Sequence, residues 1–209
     1  AEAVLAVKSV LVDLNDAAAT LPNSYNSVEN ITPLETPLSS TINGAALATP
    51  VFLSLYAEND LRLDKYFAET DEKGFRKNKK AGSNNYLCTF RVGEIYLTAA
   101  EAAARLGELS QARTRLLELM RKRYAPEAYE AKSFVVNAMD KEALVQEILD
   151  ERARELAFEG HRWFDLRRST RPRLEKVLDG TRYVLEENDA RYTLAIPKEA
   201  IEANPGLLN

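Results

Sequence analysis

The sequence predicts an all-α fold of packed helical pairs, with long loops and a small β-hairpin near the C-terminus. Three observations carry this. Residues 91–107 and 109–124 hold adjacent apolar stripes at helical spacing, broken by Leu106-Gly107. Residues 139–160 carry a third long helical pattern between a capping residue and a glycine. Residues 183–196 alternate apolar and polar weakly, as a strand pair does.

Taken in order, Val4, Val7, Leu11 and Leu14 place an amphipathic helix over 2–20, ended by Leu21-Pro22-Asn23. Residues 21–50 collect Pro22, Pro33, Pro37, Gly44 and Pro50 among Ser, Thr and Asn, which reads as a long loop of the functional kind. Residues 51–68 read as one or two short helices, and 69–90 as a second loop. That loop clusters Lys73, Arg76, Lys77, Lys79 and Lys80, either a contact for phosphate or acidic sugar or simply a solvated face. In 91–107, Val92, Ile95, Tyr96, Ala99, Ala103 and Leu106 form one stripe, and Leu97, Ala100 and Ala104 a second, so this helix is covered on two sides. The next helix turns Ala112, Leu116, Leu119 and Met120 inward. The pair reads as one tetratricopeptide-like unit, in a single clear copy where an independent solenoid needs at least three. Asp140 caps the 139–160 helix and Gly160 stops it. Asn188-Asp189 turns the hairpin, and residues 197–209 form an irregular tail.

Composition limits the chemistry. The 209 residues suit one domain. Lys plus Arg number 28 against 32 Asp plus Glu, a net charge of −4, which argues against a basic nucleic-acid binder. The lone histidine, His161, and lone cysteine, Cys88, cannot build a zinc site, and one Cys makes no internal disulfide. Cys88 reads as a small buried hydrophobe. No phosphate loop, metal-spaced cluster or nucleophile elbow occurs, so neither metal nor cofactor is expected. The apolar start is broken by Glu2, Lys8, Asp13 and Asp16 and is neither signal nor span. The chain lacks a starting Met and reads as a mature or truncated fragment.

The densest chemistry lies in 151–168, ERARELAFEGHRWFDLRR. On a helical wheel, Leu144, Val145, Ile148, Leu149 and Leu156 define the apolar face. Arg152 and Glu159 fall within it, and Glu155 sits at its edge, three residues from one and four from the other. In a catalytic reading, Glu155 and Glu159 are the acid and base of a glycoside hydrolase. Such carboxyls must flank the sugar, whereas neighbours on one helix turn share a side. In a structural reading they are buried acceptors for Arg152 and for Arg162, Arg167 or Arg168, since buried charge must be paired. The structural reading is preferred. Trp163 and Phe164 read as core packing rather than a sugar platform, and His161 as a packing residue.

These residues also carry a resemblance. Glu151-Arg152, then Glu155-Leu156-Ala157-Phe158-Glu159-Gly160-His161-Arg162-Trp163-Phe164-Asp165-Leu166-Arg167-Arg168, closely resembles the signature of the SusD/RagB family. Arg91, Glu94 and Glu101 fall in a stretch similar to its second signature helix, with Gly93 where the family usually has Ala. Ala195-Ile196-Pro197, Glu199-Ala200-Ile201 and Asn204-Pro205 resemble its carboxy-terminal pattern, which normally continues further; Leu55-Tyr56 and Asn59-Asp60-Leu61-Arg62 match more weakly. On this basis residues 1–209 are one SusD/RagB-like domain, poorly matched over 1–50 and family-like over 50–209.

The resemblance implies a mostly helical, lipid-anchored glycan-binding protein on the outer surface of the cell outer membrane. It implies a SusC-like TonB-dependent transporter as partner, an oligosaccharide nutrient as ligand and no bond broken. The anchoring Cys is absent from this chain, and family members are about twice as long, which fits a truncated piece or a short member. The signature residues Arg91, Glu94, Glu101, Arg152, Glu155, Glu159, Arg162, Trp163 and Asp165 are then scaffold. No motif position carries over as a sugar ligand, so site candidates rest on physics: rings for the apolar face of a sugar beside polar groups for its hydroxyls. Two loops offer this, with Tyr25 and Asn26 beside Asn23 in the first, and Phe75, Arg76, Asn84, Asn85 and Tyr86 in the second. The alternatives are a helical-repeat module binding a protein partner and, third, the hydrolase using Glu155 and Glu159.

Overall fold

The structure is a computed structural model that describes residues 1–34, 47–80, 88–178, 180–204 and 206. It divides into two compact units, residues 1–161 and 162–209. Helix predominates, with small antiparallel sheets besides.

The first unit is centred on α4 (Val92–Leu106), which packs against α5 (Leu109–Met120) and α7 (Lys141–Glu155). Both stripes of α4 are used as far as Ala104: Ile95, Leu97, Ala99, Ala100, Ala103 and Ala104 are buried in the main core, whereas Leu106 in its last turn is exposed. Ala112, Leu116 and Leu119 of α5 and Leu144 and Ile148 of α7 complete that core. The many alanines let neighbouring helices approach closely. Gly107 ends α4 at φ +86°, with its N–H on Ala104 O at 3.1 Å and that of Glu108 on Ala103 O at 2.9 Å. This is a Schellman stop, and it turns the chain directly into α5. Asp140 caps α7, accepting the Ala143 N–H at 2.9 Å.

The long N-terminal helix does not form. Only α1 (Glu2–Leu5) is helical, and residues 9–30 run through extended and turn segments. The backbone there bonds outward: Leu14 N–H reaches Lys122 O at 2.9 Å, and Val12 N–H reaches Glu29 Oε1 at 2.9 Å. Val12 and Leu14, two residues apart, are then the buried pair. Tertiary partners override a weak helical pattern.

The two expected loops also hold strands. β1 (Asn30–Leu34) pairs antiparallel with β5 (Cys88–Arg91), whose end leads straight into α4. A second sheet orders β2 (Leu47–Ala48), β4 (Arg76–Asn78) and β3 (Phe67–Thr70) as β2-β4-β3. These strands are too short for an alternating pattern to announce them. Helices α2 (Pro50–Leu53) and α3 (Arg62–Tyr66) occupy the expected 51–68 stretch. Phe52, Tyr56, Phe67 and Phe158 make edge-on ring contacts in a second core, with Tyr56 and Phe67 centroids 5.5 Å apart. Helix α6 (Pro126–Ala138) lies between α5 and α7 in sequence and has no single apolar stripe.

In the second unit, α8 (Arg162–Arg168) precedes a hairpin of β6 (Leu174–Leu178) and β7 (Thr181–Leu185), followed by a short 3-10 turn and α9 (Lys198–Ala203). A hairpin near the C-terminus is present, but its closing pair is Leu178 with Thr181 rather than residues flanking Asn188-Asp189. Gly180, at φ +76°, supplies the left-handed residue that a two-residue loop needs. Trp163 stacks on Tyr192 with ring centroids 5.2 Å apart and planes 13° off parallel.

Candidate functional site

The feature that organises the first unit is a buried cluster of ionised side chains. Glu29, Asp60, Glu151, Glu155 and Glu159 are buried with Arg62, Lys80, Arg91, Arg123 and Arg154, so each of five acids has a cation to offset it. Glu155, on the last turn of α7, is the hub. Its Oε1 accepts from Arg91 Nη1 at 2.6 Å and Arg123 Nη2 at 3.0 Å; its Oε2 accepts from Arg123 Nε at 2.9 Å and Arg62 Nη1 at 3.1 Å.

Arg91, between β5 and α4, grips Glu159 bidentately through Nε and Nη2, both at 2.9 Å, and also reaches Glu29 at 3.0 Å. Such forked contacts suit guanidinium and carboxylate planes. Arg62 forks onto Asp60 at 2.9 and 2.8 Å and bonds Glu151 at 2.7 Å. Arg123, just past α5, joins Glu29 at 2.5 Å. Lys80 pairs with Glu159 and lies over the Tyr66 ring at 4.3 Å.

The cluster explains where α7 stops. Glu155 O accepts from Arg91 Nη2 at 2.9 Å and Lys80 Nζ at 2.5 Å, so a carbonyl at the helix end finds side-chain partners. The helix ends at Glu155, and the chain turns through Phe158 (φ +61°) and Gly160 (φ +87°), where the sequence suggested helix up to Gly160.

The electrostatics favour the ionised forms of Glu151, Glu155 and Glu159. Burial alone raises Glu155, but the guanidinium groups of Arg123, Arg91 and Arg62 outweigh it and hold the carboxyl well below its ordinary range. Burial likewise opposes ionisation of Glu151, and Arg62 and Arg154 bring it down to about 2. Lys80 is lowered to about 8 because burial outweighs the pull of Glu159. Glu155 and Glu159 contact the same arginine and are sealed from solvent. They are placed to lock chain segments together, and a sugar has no path between them.

The profile of the SusD family matches residues 45–209. The chain belongs to the SusD family. Two solved structures share its fold. One, a SusD-like carbohydrate binding protein from Bacteroides vulgatus, aligns at TM-score 0.68 and 18% identity over 98% of this chain and 53% of its own. The other, a SusD superfamily protein from Bacteroides thetaiotaomicron, aligns at TM-score 0.67 and 21% identity over 95% and 51%. This SusD-family chain thus spans about half the length of those proteins. No curated protein matches it.

Around the cluster, the SusD-family signature positions fall in distinct settings. Arg91, Glu155 and Glu159 lie inside it. Glu94 stands 3.6 Å from His161 Nδ1, Glu101 accepts from Arg105 at 2.8 Å, and Arg152 approaches Thr98 at 3.3 Å. In the second unit, Asp165 is buried and accepts from Arg168 at 2.7 Å; Arg162 is exposed and Trp163 half-buried. Phe164, expected in a core, is 61% exposed.

Glu155 and Glu159 take Arg62, Arg91, Arg123 and Lys80 as partners, drawn from other segments. Sequence reasoning did not single out Arg123, Glu29 or Lys80 as partners. The available signal was balance: buried glutamates need cations, and Arg123 follows an apolar helix end. The basic 73–80 cluster divides accordingly, with Lys80 buried, Lys79 Nζ on Asp64 O at 2.8 Å, and Lys73 and Lys77 exposed.

Among the ligand candidates, Tyr25 is 59% exposed and Asn26 exposed on a turn. Phe75 and Arg76 are half-buried; Arg76 donates to Leu63 O at 2.7 Å and Asp64 Oδ1 at 3.1 Å. Asn23, in the first loop, is buried and donates to Lys80 O at 2.8 Å. The roots of the two loops therefore meet at the charged cluster. Asn84, Asn85 and Tyr86 lie outside the described residues.

Proposed function

We propose that this SusD-family protein binds a glycan or oligosaccharide nutrient at the cell surface and passes it, without cleaving it, to a SusC-like TonB-dependent transporter in the outer membrane. The observation that carries the reading is the sealing of Glu155 and Glu159 inside a charge-balanced cluster. That leaves the family's densest acid motif a scaffold role and leaves ligand contact to the loops rooted on it. Tyr25, Asn26, Phe75, Arg76, Asn84, Asn85 and Tyr86 are the proposed contacts, rings covering sugar faces and polar groups taking hydroxyls. In this reading residues 1–209 act as one SusD/RagB-like domain, the α4–α5 pair is tetratricopeptide-like, and the full-length protein is lipid-anchored.

A glycan array followed by calorimetry on the whole chain tests this. The expected result is binding to a defined oligosaccharide, no new reducing ends, and about tenfold or greater weakening in a Tyr25→Ala, Tyr86→Ala double variant. No binding across the array overturns the reading, as does release of products.

A further inference from the structure

Helix α6 carries apolar residues over more than half of its circumference, Ala128, Tyr129, Ala131, Phe134, Val135, Val136 and Ala138, beside a narrow polar stripe of Glu130, Ser133 and Asn137. A helix of that kind is normally covered on both sides. One side of α6 is covered, since Val136 is fully buried and Ala128 and Tyr129 pack on the main core. The other side presents Ala131, Phe134, Val135 and Ala138 at i, i+3, i+4 and i+7, with Phe134 80% and Val135 52% exposed.

Beside this stripe, residues 57–59 wall a groove of about 540 Å³ floored by Ala57, Ala128, Ala131 and Val135. The wall is pinned: Asn59 holds φ +66° and its carbonyl accepts the Ala125 N–H at 3.1 Å. The rim is acidic. Glu58 and Glu127 line it and are exposed, and neither pairs with a cation among the described residues. Lys132, also in the lining, is already engaged by Glu147 at 3.2 Å.

We propose that this groove is a docking site for an amphipathic helix with a basic flank, supplied by a partner protein. The apolar side chains of such a helix would cover Phe134 and Val135, and its Lys or Arg residues would face Glu58 and Glu127. An apolar floor with an uncompensated acidic edge selects that occupant over an acidic or neutral one. The site is separate from the proposed glycan contacts and does not depend on them.

Fluorescence anisotropy with the whole chain tests the proposal, using a labelled Leu/Lys amphipathic peptide of about 18 residues, five helical turns, and a Leu/Glu peptide of the same apolar pattern. The Leu/Lys peptide should bind and the Leu/Glu peptide should not. A Glu58→Gln, Glu127→Gln variant and a Phe134→Ser, Val135→Ser variant should each weaken binding about tenfold or more, with melting temperature unchanged because these side chains are exposed. Equal binding by both variants would mean that the peptide merely follows the net charge of −4, and would overturn the site. So would equal binding of the Leu/Glu peptide, or failure of the Leu/Lys peptide to bind. A concentration-dependent dimer lost in the Phe134→Ser, Val135→Ser variant would overturn it too, giving the face to a second copy.

Discussion

Gly93 sits where a methyl group has no room. A Cβ there would stand 2.5 Å from Arg91 Nη1, 3.1 Å from Glu29 Oε2 and 3.2 Å from Glu155 Oε1. The arginine cannot swing away, because its guanidinium is held by three carboxylates. Gly93→Ala should therefore destabilise the protein by about 1–3 kcal/mol, an overpacking cost, read by urea denaturation. The carboxylates also set the acid response. Glu151 is held at about 2 and Glu155 well below the usual range by their arginines, against the opposing effect of burial. Their stabilisation is fully present above the unfolded carboxyl value, about 4.3, and is lost as pH falls through the folded values. Melting temperature should hold steady from about pH 7 to 5 and fall steeply below about 4; a flat profile down to about pH 2 would contradict paired, ionised glutamates.

The helices with one clear signal were legible: α4 and α5 by their stripes and Gly107, and α7 by its Asp140 cap. Removing that cap with Asp140→Ala should cost about 1 kcal/mol, and Glu142→Ala beside it far less. Elements whose partners are distant in sequence were hidden. The 9–14 segment has helical spacing but bonds to Lys122 and Glu29, and Arg76-Lys77-Asn78 pairs as a strand without an apolar face. Helix α6 escaped because its apolar arc is broad and its polar stripe, Glu130, Ser133 and Asn137, is narrow. The hairpin closes at Leu178 and Thr181, not at Asn188-Asp189, in keeping with Asp179-Gly180 being the stronger turn dipeptide in the sequence. Of the site, the burial of Glu155 and Glu159 could be reasoned from the wheel. Their partners could not, because pairing across 64 or 68 residues leaves no local pattern.

At the scale of the molecule, the charged cluster does for the first unit what a longer apolar core would otherwise do. It draws together the 29 turn, the 60–62 corner, Lys80, the start of α4, the end of α5 and the end of α7. In the second unit the Trp163–Tyr192 stack has the corresponding role. Trp163→Ala should speed hydrogen exchange across the 174–185 hairpin while leaving α4 protected. Above all, Glu155 holds the scaffold of the first unit together. The melting temperature of Glu155→Gln tests this most directly. Breaking a buried ionic hub costs about 3–5 kcal/mol, so the variant should melt lower by about 6 °C or more. A variant melting at the wild-type temperature would contradict the account.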